Sequence, residues 1–316
     1  FFSKSPETVV DEMREISSRH RVLDFVFTDY IMDHRYYKTL LPLLAAEEAS
    51  WLCHFEIKAN VTRDQVRALA EAGVRKVQPG IESFSTHVLR LMKKGVTALQ
   101  NVQLLRWCEE FGVNLTYNVL WGFPGETVED YRAQVDAFES LHHLQPPVHQ
   151  TKIAIHRFSP LFRQHDALGL DGVRPRLDYD FLFDGGRVRI ERIAYEHEAE
   201  PVVSLAELEP WYRRVREALD RWRAAYRTGR CRLEYRIGPD FLRFEDRRTD
   251  PERIHDLAGA AAVEAYLHCR ERGRTLGAVR EHLAGLGHPA DEAWLAELFD
   301  ELLGARLVFR EDDLWF

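Results

Sequence analysis

Two stretches restrict the fold of this chain more than any others. Val77-Gln78-Pro79-Gly80-Ile81-Glu82-Ser83 and Asn118-Val119-Leu120-Trp121-Gly122-Phe123-Pro124-Gly125-Glu126 are apolar runs that stop at a glycine and then carry a carboxylate. A helical pattern follows each. In a parallel α/β sheet such a point is the carboxyl end of a strand, where ligands bind. Two such ends about forty residues apart imply one site built from several strand tips. Glycine there lets backbone approach a ligand and adopt positive φ at little steric cost.

Similar units surround these two. Ser5 and Pro6 open a helix over 5–20, and Val22 to Phe27 reads as a strand ending at Thr28-Asp29-Tyr30. A helix over 36–48 leads to a strand over 52–57 that ends at Lys58-Ala59-Asn60. Thr62 with Gln65, and Thr97 with Gln100, are capping-box spacings; Gly73 and Gly112 close the helices they open. Strands are expected over 74–78, 113–120 and 152–156, with helices over 85–94 and after Thr127. The last strand enters Arg157-Phe158-Ser159-Pro160. Repeated strand-helix alternation implies a mostly parallel sheet with right-handed crossovers. The pattern fits a partial barrel or an open sheet.

The alternation stops near residue 165. Residues 166–186 read as a connection rich in Gly, Pro and Asp, 187–195 as a possible strand, and 205–227 as a helix. From 231 the pattern changes: a hairpin over 232–245 around Gly238-Pro239-Asp240, helices near 252–270, 275–285 and 291–303, then a closing hairpin around Glu311-Asp312. That order is winged-helix-like. The expected units are therefore 1–165, a connecting segment over 166–230, and 231–316.

The 316 residues carry a net charge of −8, which argues against general affinity for nucleic acid or an anionic membrane surface. No apolar run is long enough to span a bilayer, and no secretory signal is visible. Cys53, Cys108, Cys231 and Cys269 lie far apart, as expected of buried thiols in a reducing cytoplasm. Fourteen histidines include no HxxxH or HExxH spacing, so no metal site is expected among them. No GxGxxG or GxxxxGK[ST] loop is present either.

The strand-tip segments, together with Leu91-Met92-Lys93-Lys94-Gly95-Val96-Thr97, resemble the core of a radical S-adenosylmethionine (SAM) enzyme. Glu56-Ile57-Lys58-Ala59-Asn60 and Arg157-Phe158-Ser159-Pro160-Leu161-Phe162 narrow the likeness to the cobalamin-dependent radical SAM methyltransferases that mature ribosomally made peptides (the RiPP maturation radical SAM protein 1 type). The likeness covers roughly residues 1–165. It implies an α/β fold: a partial (β/α)6 barrel, of which this chain supplies strands two to six, with the winged-helix-like α+β domain behind it. It implies SAM, a 4Fe–4S cluster and cobalamin as cofactors of the intact parent. It also implies a precursor peptide as substrate, a reductant protein for the cluster, and C-methylation as the reaction.

The same resemblance assigns Glu82 and Ser83 to polar contacts with SAM, and Asn118, Gly122, Gly125 and Glu126 to the segment near adenine. Thr28 and Asp29 occupy the tip where the superfamily often carries a Gly-Gly-Glu motif, absent here. Lys58 would pair with the SAM carboxylate or an acidic substrate group. Arg157 and Ser159 would contact adenine, cobalamin or peptide. The structural competitors are a helix-capping pair for Glu82–Ser83, a plain polar loop for Thr28–Asp29, a turn for Gly125 and Ser159, helix-dipole compensation for Glu126, and a surface ion pair for Lys58. The family's CxxxCxxC motif is missing, and four scattered cysteines cannot replace thiolates that converge from one loop. The chain therefore reads as a fragment, inactive by itself. Alternatives are a radical SAM enzyme without methyl transfer, a cluster-free peptide- or partner-binding protein, and an ordinary barrel hydrolase or aldolase using Lys58 and Glu82.

Overall fold

The computed structural model describes residues 3–28, 31–201 and 206–316. Its first half alternates strand and helix: α1 (Pro6–His20), β1 (Asp24–Val26), α2 (Leu40–Ala45), β2 (Leu52–Ile57), α3 (Arg63–Glu71), β3 (Val74–Pro79), α4 (Thr86–Leu91), α5 (Ala98–Phe111), β4 (Asn114–Leu115), β5 (Asn118–Trp121), α6 (Val128–Ser140) and β6 (His149–Lys152). β1, β2, β3 and β4 pair in that order, all parallel, and β5 pairs parallel with β6. A parallel bridge between Glu82 and Val119 joins the two sets. The result is an α/β unit built on a parallel sheet.

Local chemistry explains the boundaries. Ser5 accepts from the Thr8 amide to start α1, with Pro6 at its first position. Thr62, Thr97 and Thr127 each close a full capping box at α3, α5 and α6. Gly112 ends α5 at φ 66°. The helix expected over 36–48 is shorter: a 3-10 turn spans His34–Tyr37, and α2 starts at Leu40, which keeps Pro42 within the first turn. The strand expected over 113–120 is broken into β4 and β5 between Leu115 and Asn118.

The second half departs further. β6 lies three residues before the strand expected over 152–156 and ends at Lys152. The chain then leaves the parallel sheet, and β7 (Ile155–His156) pairs antiparallel with a later strand. The connection expected over 166–186 holds regular structure: after α7 (Pro160–Arg163) come β8 (Leu170–Pro175) and α8 (Asp178–Leu182). Gly172 and Pro175 mask β8 in the sequence; proline is tolerated because β8 is an edge strand. Residues 187–195 hold a short helix, α9 (Ile190–Ile193), not a strand, and β9 (Glu196–Pro201) follows. β7, β9 and β8 make a small antiparallel sheet.

α10 (Glu209–Arg227) then packs its apolar face into the main core through Val215, Leu219 and Trp222, each fully buried. The carboxyl-terminal part comprises β10 (Leu233–Ile237), β11 (Phe241–Asp246), β12 (Arg253–Ala258), α11 (Ala260–Cys269), α12 (Leu276–Gly285), α13 (Glu292–Gly304), β13 (Arg310–Glu311) and β14 (Leu314–Trp315). The start of the helix expected over 252–270 is a strand. β12 adds to the hairpin, and Gly259 at φ 98° separates it from α11. This part has a core of its own around Phe244, Val279, Leu295 and Phe299.

Candidate functional site

Burial divides the parallel sheet into two faces. Cys53, Phe55, Ile57, Val77, Leu115 and Val119 point into the helices and are nearly inaccessible. The alternate residues are polar: Glu56 from β2 and Lys58 just past its end, Gln78 from β3 and Glu82 three residues past its end, Thr116 between β4 and β5, and Asn118 at the start of β5. Strand periodicity puts them on the other face. They line a cleft of about 780 Å³ at the carboxyl ends of the strands, closed on one side by Lys93, Lys94 and Gly95.

Glu82 is the best-anchored polar residue there. It is not glycine, yet its φ is 59°. The Ser83 amide donates across it to the Ile81 carbonyl at 2.7 Å, and its own carbonyl accepts from Leu120 at 2.8 Å. The buried Asn101 side chain holds the bend by donating to the Ile81 and Ser83 carbonyls at 3.0 and 2.8 Å. Backbone in that region costs of order 1–3 kcal/mol, and such strain collects at functional sites. The bend turns the Glu82 carboxylate to Lys94, whose Nζ donates to Oε1 at 2.7 Å. Gly80 sits beneath this pair; a Cβ there would lie 3.6 Å from both atoms.

The expected site residues separate into two groups. Lys58, Glu82 and Asn118 line the cleft together. Ser83 does not face it: its side chain is fully buried, donates to Gln134 at 3.1 Å and accepts from the Ser85 amide. Glu126 is buried as well. It accepts from the Gly122 amide at 2.9 Å and from the Tyr131 hydroxyl, so it ties the Gly122–Gly125 loop to α6. Burial raises its carboxyl above the ordinary value, against the Tyr131 and Gly122 hydrogen bonds that lower it. Gly122 and Gly125 have φ of 87° and 91°, and a Cβ on Gly125 would meet Leu91 at 3.3 Å. Both serve the turn.

Arg157 and Ser159 are not at a parallel strand tip, because the chain has already left the sheet. The Arg157 guanidinium donates to the Glu191 and Arg192 carbonyls, and Ser159 caps α7. Thr28 is exposed beyond β1 and outside the cleft lining, and Asp29 lies outside the described residues. Sequence reasoning missed Glu56, Gln78, Lys93, Lys94 and Thr116. The signal was present in the period-two polar positions Glu56–Lys58–Asn60 and Gln78–Gly80–Glu82, which interrupt otherwise apolar strands.

The donor set in the cleft suits a zwitterion carrying hydroxyls: ammonium groups for a carboxylate, carboxylates and amides for an amine or a diol. It does not suit an iron–sulfur cluster. Cys53 and Cys108 are buried in the main core and Cys269 in the carboxyl-terminal core. Burial pushes these thiols up to about 11, about 12 and about 12, the opposite of what a thiolate ligand needs. Cys231 is also buried and also raised. Among the described residues no group of three His, Cys, Asp or Glu is placed to hold a metal ion.

Comparison with known families finds relatives of the parallel-sheet unit. The match to the radical SAM superfamily runs over residues 1–136. That segment, less than half of the chain, is similar to the radical SAM superfamily. An uncharacterized methyltransferase of Pyrococcus horikoshii is 26% identical over 136 residues, 42% of this chain and 29% of its own. The tRNA-2-methylthio-N(6)-dimethylallyladenosine synthase of Desulforamulus reducens is 27% identical over 147 residues, 42% of this chain and 32% of its own. The chain thus spans about a third of the length of the curated relatives it matches. Among solved structures, the radical SAM methyltransferase TsrM of Kitasatospora setae, with tryptophan and a SAM analogue bound, superposes with a TM-score of 0.51 at 21% identity. That likeness covers 69% of this chain and 46% of TsrM, and it is a likeness of fold. Among the described residues no helix is long and apolar enough to cross a membrane.

Proposed function

We propose that the cleft between Lys58, Glu82 and Asn118 binds SAM, and that the chain is the SAM-binding part of a cobalamin-dependent C-methyltransferase acting on a ribosomally made precursor peptide. The observation that carries the reading is Glu82: a non-glycine residue held at positive φ so that its carboxylate enters the cleft. The parallel sheet is then the strand-two to strand-six portion of a (β/α)6 barrel. The names of the Pyrococcus horikoshii relative and of TsrM support methyl transfer.

SAM brings an electrophilic methyl group and a homolytically cleavable carbon–sulfur bond. Lys58 would neutralise its carboxylate. Glu82, fixed by Lys94, would accept from the ribose hydroxyls or the amine, and Asn118 would meet the adenine side. Asn101 keeps Glu82 in position from behind, and Glu126 holds the Gly122–Gly125 loop to α6. The four cysteines do not supply the cluster, so we propose that this chain alone binds SAM without cleaving it. The rest of the reaction, with cobalamin and a reductant protein, belongs to the whole protein, which we place in the cytoplasm.

A calorimetric titration with SAM tests this. Wild type is expected to bind one equivalent. Glu82→Asn tolerates the same backbone and is expected to weaken binding roughly tenfold or more, as is Lys58→Ala. Ser83→Ala is expected to leave affinity unchanged. Equal affinity in all four proteins would remove the cleft from the function.

A further inference from the structure

The first N–H groups of a helix have no partner within it. At the start of α5, Thr97 and Gln100 satisfy each other in the capping box. The two amides between them are met from outside the helix. Ala98 donates to Thr86 Oγ1 at 2.7 Å, and Leu99 donates to Glu311 Oε2 at 2.9 Å. The Thr86 hydroxyl in turn donates to the other oxygen of Glu311. Thr86 is the first residue of α4, and Glu311 lies on β13 near the end of the chain. One carboxylate therefore bridges the first residue of α4 and the first turn of α5. Its charge also faces the favourable end of the α5 dipole. The closing hairpin is held to α5 further along as well: Phe316 packs edge-on against Trp107, with Arg106 over its ring at 5.0 Å.

α4 and α5 are the two helices that fix Glu82. The Lys94 amide donates to the Leu89 carbonyl of α4 at 3.0 Å, so Lys94 follows α4, and its Nζ holds the Glu82 carboxylate. Asn101, one turn into α5, holds the Glu82 bend through the Ile81 and Ser83 carbonyls. Each helix thus contributes one hold on Glu82. The connection between them, Lys93 to Val96, lines the cleft, and Lys93 and Gly95 in it have φ of 54° and 71°. Glu311 itself is outside the cleft lining.

We infer that Glu311 is a positioning residue for the SAM cleft. By tying α4 to α5 it sets Lys94 and Asn101 against Glu82, so the carboxyl-terminal hairpin tunes affinity for SAM without touching it. The inference rests on the SAM reading above for its ligand. It adds to that reading a contribution from a part of the chain beyond residues 1–136. Such coupling is reciprocal: SAM held by Glu82 tightens the hold of the hairpin on α5.

The first test is calorimetric titration of the full chain with SAM. Glu311→Ala is expected to weaken binding roughly tenfold. Glu311→Gln is expected to stay within about threefold of wild type, because its amide oxygen can accept from Leu99 and its NH2 can donate to Thr86 Oγ1. Asp313→Ala, an exposed position on the same hairpin, is expected to bind as wild type does. In a Glu82→Asn background, Glu311→Ala is expected to add less than about a twofold loss, since it acts through Glu82. Additive losses, a glutamine variant as weak as the alanine one, or an equal loss in Asp313→Ala would overturn the inference. The second test is amide hydrogen exchange of the ligand-free chain. Glu311→Ala is expected to speed exchange at Ser83, Lys94 and Leu120 roughly tenfold and to leave Phe55 in β2 unchanged. Unchanged exchange at all four would overturn the inference. The exchange measurement contains no SAM, so loss of the SAM reading and loss of the Glu311 bridge are separate results.

Discussion

At the scale of single residues, two carboxylates with the same sequence signature do opposite work. Glu82 and Glu126 each follow a glycine-ended strand. Glu82 enters the cleft, whereas Glu126 is 7% exposed and satisfies the loop behind it. The sequence could not separate them, because the difference lies in one positive φ and in the position of Tyr131. The buried Glu126 makes a pH prediction. Its folded value is raised above the ordinary 4.5, so the folded state holds the proton more tightly than the unfolded chain. Its contribution to stability is full below that ordinary value and is lost as pH rises through the folded value. Glu126→Gln keeps an acceptor for Gly122 and Tyr131 and removes the titration. It is expected to melt at or above the wild-type temperature at pH 7, with the advantage disappearing near pH 4. Glu126→Ala leaves both donors unpaired and should cost about 1–3 kcal/mol. A glutamine variant clearly less stable than wild type at pH 7 would contradict this assignment.

At the scale of elements, the helices were the most legible part, since capping boxes at Thr62, Thr97 and Thr127 are local chemistry. Strands β2 and β3 were legible for a related reason: an apolar alternate set packs on helices. The antiparallel sheet of β7, β8 and β9 was not, because its pairing joins residues far apart and its short strands carry Gly and Pro. That misreading displaced Arg157 and Ser159 from the expected site. The α3–β3 turn gives the prediction at this scale. Gly73 has φ 77°, and a Cβ there would lie 2.5 Å from the Trp51 carbonyl oxygen, next to the start of β2. Gly73→Ala combines backbone strain with a main-chain clash, so it should destabilise by about 2–4 kcal/mol in chemical denaturation. A loss under about 0.5 kcal/mol, usual for an exposed surface change, would mean that the turn is not held against β2.

At the scale of the molecule, the change of pattern near residue 231 was visible, but the attachment of the last part was not. The Leu99 amide donates to Glu311 at 2.9 Å, Arg248 reaches the Ser140 carbonyl at 3.1 Å, and Gly273 is so close to α5 that a Cβ would touch Leu99 at 2.5 Å. These contacts set the carboxyl-terminal sheet beside α5, on the helical side of the domain, while the polar cleft opens at the strand tips. The chain therefore presents two concavities with different chemistry. One is polar and suited to a small zwitterion; the other lies beside β10 and is lined by arginines and glutamates, with Arg232 paired to Glu234 and Arg236 to Glu245. The measurement that tests this division most directly is a crystal structure of the chain with SAM bound. The expected result is density between Lys58, Glu82 and Asn118, with the Glu82–Lys94 pair retained. Ligand density in the cavity beside β10, with the strand-tip cleft holding only water, would contradict it.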